Sequence, residues 1–199
     1  MRTEDIYLQI KTTNDKFNYL PPQSLLPDDI YGAIRRAVIW ICTDNNALFD
    51  SEDITIITDV TDYALTKTFK SIKKLVNPDG TYEMLYRRPE EQKFYKDDLY
   101  SYTFLNDTIK FFAKQNNYVG EKFTCYGYVI PTAELNSTTE IPISKDWDEV
   151  IFLKAMSLIV PIDTNAHQIY RAEATDLSRL IGGKNNYMKD TNYQSTMDW

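Results

Sequence analysis

A chain of 199 residues is long enough for one good-sized domain and barely long enough for two. Its hydrophobic share of 43% and charged share of 26% exclude wholesale disorder, and at this size neither disulfides nor a metal are needed for folding. Six glycines against 15 tyrosines and 20 threonines argue for strands over Gly-rich phosphate loops, and a net charge of −7 makes the whole chain a poor electrostatic binder of nucleic acid.

The first 27 residues are polar with scattered apolar positions and end in Leu20-Pro21-Pro22 and Leu26-Pro27. They read as a short helix or arm around Glu4 to Lys11, then a proline-bounded linker. Pro27-Asp28-Asp29 is a helix start, because acids there cap free N–H groups and complement the dipole. Ile30, Ile34, Ala37, Val38 and Ile41 follow at helical spacing, opposed by Arg35 and Arg36.

From residue 54 the period changes to that of strands. Ile54 to Thr58 and Asp62 to Leu65 are β-type segments on either side of a tight Asp59-Val60-Thr61 connection. Ser71 to Val76 is a further strand, and Asn77-Pro78-Asp79-Gly80 is a turn that should return Thr81 to Tyr86 as its hairpin partner. Pro89-Glu90-Glu91 opens a short helix. A second hairpin runs Tyr100 to Leu105, Asn106-Asp107, Thr108 to Ala113, its turn residues suited to positive φ. Lys122 to Ile130 is a strand with Phe123 and Cys125 on one face and Thr124, Tyr126 and Tyr128 on the other.

Ser144-Lys145-Asp146-Trp147-Asp148-Glu149 launches a helix that is apolar almost all round through Ile159, and so is expected to be buried on more than one side. A last helix is expected over about Asn165 to Leu180, closed by Gly182-Gly183. The pattern is α+β, with helical elements at both chain ends around a central antiparallel β region. It divides into an arm and linker over 1–27, a single domain over 28–182, and a tail over 183–199.

Catalytic equipment is sparse. Cys42 and Cys125 lie 83 residues apart, without the spacing of a zinc knuckle or redox pair, and read as reduced thiols. A single histidine, His167, puts the usual zinc sites and a histidine-based triad out of reach. Asp28-Asp29, Asp97-Asp98 and Asp146-Asp148-Glu149 sit at helix starts or loops, where capping explains them before catalysis or magnesium does. Gly182-Gly183-Lys184 lacks the strand and upstream glycine of a phosphate loop. Lys70, Lys73 and Lys74, and Arg87-Arg88, read as solvated strand edges. No catalytic residue, cofactor or metal is assigned. No signal peptide and no apolar run long enough to span a membrane is present, so a soluble protein is expected.

The tail is more informative. Tyr187, Met188, Tyr193, Met197 and Trp199 are large side chains in a stretch without evident helical or strand periodicity. Aromatics and methionine enrich interface cores, so these five are the candidate docking residues for a partner; the other reading of the tail is a disordered end with incidental aromatics.

In order and texture, the elements over residues 28 to 182 resemble the head-to-tail adaptor (connector) proteins of short-tailed bacteriophages. The matching features are Tyr63-Ala64-Leu65, the spaced Ile72, Leu75 and Val76, and Leu85-Tyr86-Arg87-Arg88-Pro89-Glu90-Glu91. They continue with Tyr102-Thr103-Phe104 beside Ile109-Lys110-Phe111, the strand Tyr126 to Pro131, and the helix launched by Ile141-Pro142 and Asp146-Trp147-Asp148-Glu149. Two positions depart from the family: Thr66 stands where Pro follows Tyr-x-Leu, and Asp97-Asp98-Leu99 replaces Gly-x-Pro. The resemblance implies a non-enzymatic virion protein whose copies, commonly twelve, form a ring between the portal and the tail or neck proteins. It also implies a C-terminal segment that reaches the portal (here the five tail residues) and passing DNA met without sequence-specific contact. Two other readings stay open: a β-rich module binding glycan or protein through exposed tyrosines such as Tyr100, Tyr102, Tyr126 and Tyr128, and a carboxylate-based hydrolase using Asp146 or Asp148.

Overall fold

The computed structural model describes residues 2–21 and 24–194, with side chains through residue 183. Its contacts group the chain into two compact units, residues 1–47 with 133–199 and the intervening 48–132. The divisions therefore fall at 47/48 and 132/133, away from the boundaries expected at 27 and 182. Sequence order hides this, because a β unit inserted between two helices leaves the flanking helices free to pack together. The fold class is α+β, with helices towards both chain ends and the sheets between.

The first unit contains four helices: α1 (Arg2–Phe17), α2 (Pro27–Asn45), α3 (Asp148–Ile159) and α4 (Asn165–Gln194). The expected arm is thus a full helix. Ile6, Ile10 and Asn14 recur every fourth residue and are buried, so α1 presents one face to α2 and α3. Its first turn is held by Arg2, which is only 8% exposed. The guanidinium donates to the carbonyls of Ile141, Ile143 and Ser144 and pairs with Asp148 at the start of α3. Beside it, Thr3 donates to the carbonyl of Thr139.

Helix α2 starts at Pro27 as expected, with Asp29 accepting the Leu26 N–H, and it stops at Asn46 in the left-handed region (φ 54°). Ile30, Ala33, Ile34, Ala37, Val38 and Ile41 form its buried stripe. Helix α3 buries Val150, Ile151, Leu153, Ala155 and Met156, so it is enclosed on several sides as its composition demands. Trp147, in the short 3-10 turn ahead of it, is wholly buried.

Helix α4 differs from expectation. It runs through Gly182 and Gly183 without a break, and neither glycine has positive φ. Ala174, Ser178 and Gly182 are its buried positions at four-residue spacing. A Cβ on Gly182 would sit 2.9 Å from Oδ1 of Asn45, so this glycine serves close packing against the end of α2 and does not cap the helix.

The second unit is built from two sheets. The first joins β1 (Phe49–Thr55), β7 (Lys122–Ile130) and β3 (Thr68–Val76) in the order β1-β7-β3, all antiparallel. The second joins β2 (Asp62–Ala64), β6 (Thr108–Phe111), β5 (Ser101–Leu105) and β4 (Leu85–Tyr86) in the order β2-β6-β5-β4. The β5–β6 hairpin turns on Asn106 and Asp107, both at positive φ (49° and 54°), as those residues predict. Tyr63, Phe69, Leu75, Met84, Tyr102, Ile109, Phe111 and Phe123 are among the residues of its core.

The hairpin expected over Ser71 to Tyr86 forms only in part. Gly80 takes positive φ in the turn, and the Met84 N–H reaches the Leu75 carbonyl at 2.8 Å. The chain then leaves β3, and β4 pairs in parallel with β5. Aromatic pairing accounts for the switch. Tyr82 meets Tyr100 edge-on at 5.2 Å and Tyr86 meets Tyr102 at 5.8 Å, so the alternate tyrosines pack on β5 and its lead-in.

Candidate functional site

The terminal helix carries the expected docking segment. A 30-residue helix is about 45 Å long. Among the residues whose side chains are described, its buried positions are Ala174, Ser178 and Gly182. Tyr187, Met188 and Tyr193 lie on the helical backbone beyond them, so this part of the tail is helical where no periodicity was evident. The bulky residues are spaced too irregularly to mark a single apolar stripe, which is why the sequence did not declare it. Their side chains, and all of Met197 and Trp199, lie outside the described residues.

Each acidic group has at least one member used in folding. Asp29 accepts from the Leu26 N–H at 3.1 Å, and Asp148 holds Arg2. Asp146 bonds Ser144, whose own hydroxyl accepts the Asp146 N–H. Asp98 accepts from the Tyr100 N–H and the Ser101 hydroxyl. Those bonds, first the Ser101 hydroxyl, hold its pKa below the usual carboxylate value against the opposing effect of burial. No group of three or more His, Cys, Asp or Glu able to hold a metal occurs among the described residues. Both cysteines are free and buried, and burial pushes each thiol up to about 12, which removes them as nucleophiles near neutral pH. His167 is half-buried near the start of α4, its backbone N–H accepted by the Thr164 hydroxyl.

The tyrosines of the binding-module reading do not form one open surface. Tyr102 is 2% exposed and belongs to the core, where burial raises its pKa. Tyr128 is also buried and Tyr126 half-buried, whereas Tyr100 is open. Tyr102, expected outside, instead pairs with Phe111 across β5 and β6 and lies in the core.

Exposed apolar side chains recur between Leu85 and Tyr100, a segment from which the sequence reading took only Tyr100 as a binding residue. Leu85, Tyr86, Phe94, Leu99 and Tyr100 are all more than 40% exposed, and Arg87 stacks on Tyr95 at 4.2 Å. Their signal was the density of large apolar residues around a short acidic helix start, Pro89–Lys93. Such clustering marks an interaction surface more often than a scatter of single residues does.

No described helix is long and apolar enough to cross a membrane. No known family model matches the sequence, and no curated protein matches it.

Proposed function

We propose that this chain is a structural virion protein, a head-to-tail adaptor whose copies form a ring between portal and tail in the neck of a short-tailed phage. The reading assigns it assembly in the host cytoplasm, contacts with its own copies, the portal and tail or neck proteins, and no catalysis. The observation that carries it is the length of α4. A helix of this length gives the Tyr187, Met188 and Tyr193 segment a stiff support continuous with residues packed inside the first unit. The order of elements from α2 to α3, and the acids spent on caps and staples, support the same reading.

The test is deletion of residues 184–199 followed by co-sedimentation with the portal protein of the same genome. Docking should be lost while circular dichroism and the unfolding midpoint of the remainder stay within error. Undiminished docking by the shortened protein overturns the assignment of the portal contact to the tail.

A further inference from the structure

The β-rich unit carries a small cavity of about 80 Å³ lined by Tyr82, Leu99, Tyr100, Gln115, Asn117 and Tyr118. Gln115, only 2% exposed, stands at its inner side, and Leu99 and Tyr100 stand at its open side. The Gln115 amide is held in one orientation, because Nε2 donates to the carbonyls of Leu99 at 3.0 Å and Ala113 at 3.2 Å. Turned over, the amide would set its oxygen against two groups that can only accept. Oε1 is thus fixed as the other end of the amide, and it is buried without a donor from any described residue. A buried acceptor in that state is costly unless a donor reaches it.

The aromatic walls select the kind of donor. Tyr82 and Tyr118 meet hydroxyl to hydroxyl at 3.2 Å; one proton serves that contact, so both oxygens keep acceptor capacity. Tyr100 stands edge-on to Tyr82 with ring centres 5.2 Å apart, which makes three electron-rich rings in one lining. The Tyr82 pKa is raised, first by burial, then by the Tyr118 hydrogen bond and the charges of Tyr118, Tyr100 and Asp79. Those charges oppose a further anion here and favour a cation. Asp98, which accepts from the Tyr100 N–H, adds a second carboxylate beside the open side. Of the neighbouring cations, Lys114 is held by Asp59, and Arg87 stacks on Tyr95.

We propose that this cavity is a binding site for the guanidinium head of an arginine side chain presented by another polypeptide. Its volume is about half that of the ~150 Å³ cavity that accepts benzene, so it holds a planar group of a few heavy atoms and no more. A guanidinium spreads five donors over a rigid fork, enough for acceptors on separate residues, and it stacks on aromatic faces. An ammonium is compact and more strongly hydrated, so it loses more on entry. The rest of the ligand lies outside, where the surface is apolar. Leu99 and Tyr100 continue into Leu85, whose N–H bonds the Tyr100 carbonyl, and all three are more than 40% exposed. That rim offers cover to the flanks of a peptide and little to the charged ends of a free amino acid. The site requires neither ring nor portal and so stands independently of the adaptor reading.

The test is a proton–nitrogen NMR titration of the full chain with the blocked tripeptide acetyl-Gly-Arg-Gly-amide, run beside its citrulline and lysine counterparts and free arginine. We expect saturable shifts at the Gln115 side-chain amide and the Leu99 and Tyr100 backbone amides. The dissociation constant should be about 1–10 mM, as suits a single anchoring group. The citrulline peptide, the lysine peptide and free arginine should each bind about tenfold more weakly. Tyr82→Phe and Tyr118→Phe keep the rings and remove one hydroxyl, so each should weaken the arginine peptide about tenfold. Tyr126→Phe, on the other sheet, should leave its affinity unchanged. No shift at these signals with the arginine peptide overturns the site, as does unchanged affinity in both cavity variants. Equal binding by the citrulline peptide overturns the cation, equal binding by the lysine peptide overturns the guanidinium, and equal binding by free arginine overturns the polypeptide source.

Discussion

Replacing Gly183 by alanine separates the observed course of α4 from the helix stop that a Gly-Gly pair suggests. In the structure Gly183 is helical, and nothing lies within 4 Å of the position a Cβ would take. Alanine there should gain the helix propensity that glycine lacks, about 0.8–1 kcal/mol. Had Gly183 ended the helix in the left-handed region, the same change would cost about 1–2 kcal/mol. The two outcomes differ in sign and lie well beyond experimental error. Gly182 is the internal control: its Cβ would meet Asn45 Oδ1 at 2.9 Å, so alanine should gain little or lose stability. Urea unfolding followed at 222 nm, with amide exchange over residues 180–190, reads both the global and the local effect. Destabilisation by Gly183→Ala, with faster exchange after residue 183, would refute a continuous helix and remove the stiff support from the docking segment.

Arg2→Ala should cost about 2–4 kcal/mol, because it strips three carbonyls, two of them buried, and Asp148 of a charged donor; a denaturation series showing less than about 1 kcal/mol contradicts the staple. Arg2→Lys should recover only part of that loss, since an ammonium cannot reproduce the fork. Gly127→Ala should destabilise by at least about 1–3 kcal/mol, the cost of overpacking, because a Cβ there would run into the Ser71 carbonyl oxygen; a melt unchanged from wild type rules out the close passage of β3. Asp98 has a folded pKa below its unfolded value near ~3.9, so its contribution is present above that pH and disappears as pH falls through the lower folded value. The stability gap between wild type and Asp98→Asn should therefore be full at pH 6 and close below pH ~4; a gap that persists to pH 2 assigns the effect to something other than the carboxylate.

Where local chemistry decides an element, the sequence was sufficient. Pro27-Asp28-Asp29 starts α2, Asn106-Asp107 turns the β5–β6 hairpin, and β7 keeps the bounds that its alternation marks, Lys122 to Ile130. What escaped depends on partners distant in the chain. Arg2 reads as a terminal charge until the Ile141–Ser144 carbonyls surround it. Gly182-Gly183 has the composition of a helix cap, and only the approach of Asn45 explains why Gly182 sits mid-helix. The run Thr81 to Tyr86 satisfies the rules for a hairpin, yet Tyr82 and Tyr86 are drawn to Tyr100 and Tyr102. The lysines of β3 do stand on an edge strand, as read, but alternation cannot anticipate the two bulges, at Phe69/Ser71 and Ile72/Lys74, that carry them. The candidate docking residues were chosen as aromatic side chains without a home; the helix beneath three of them was masked by their irregular spacing.

The adaptor account is tested most directly by negative-stain electron microscopy of the purified full-length chain mixed with its genome's portal rings. The account predicts closed rings of the chain seated coaxially on one end of the portal, present in the mixture and lost when residues 184–199 are removed. Portal rings left bare at saturating concentrations of the intact chain would contradict it.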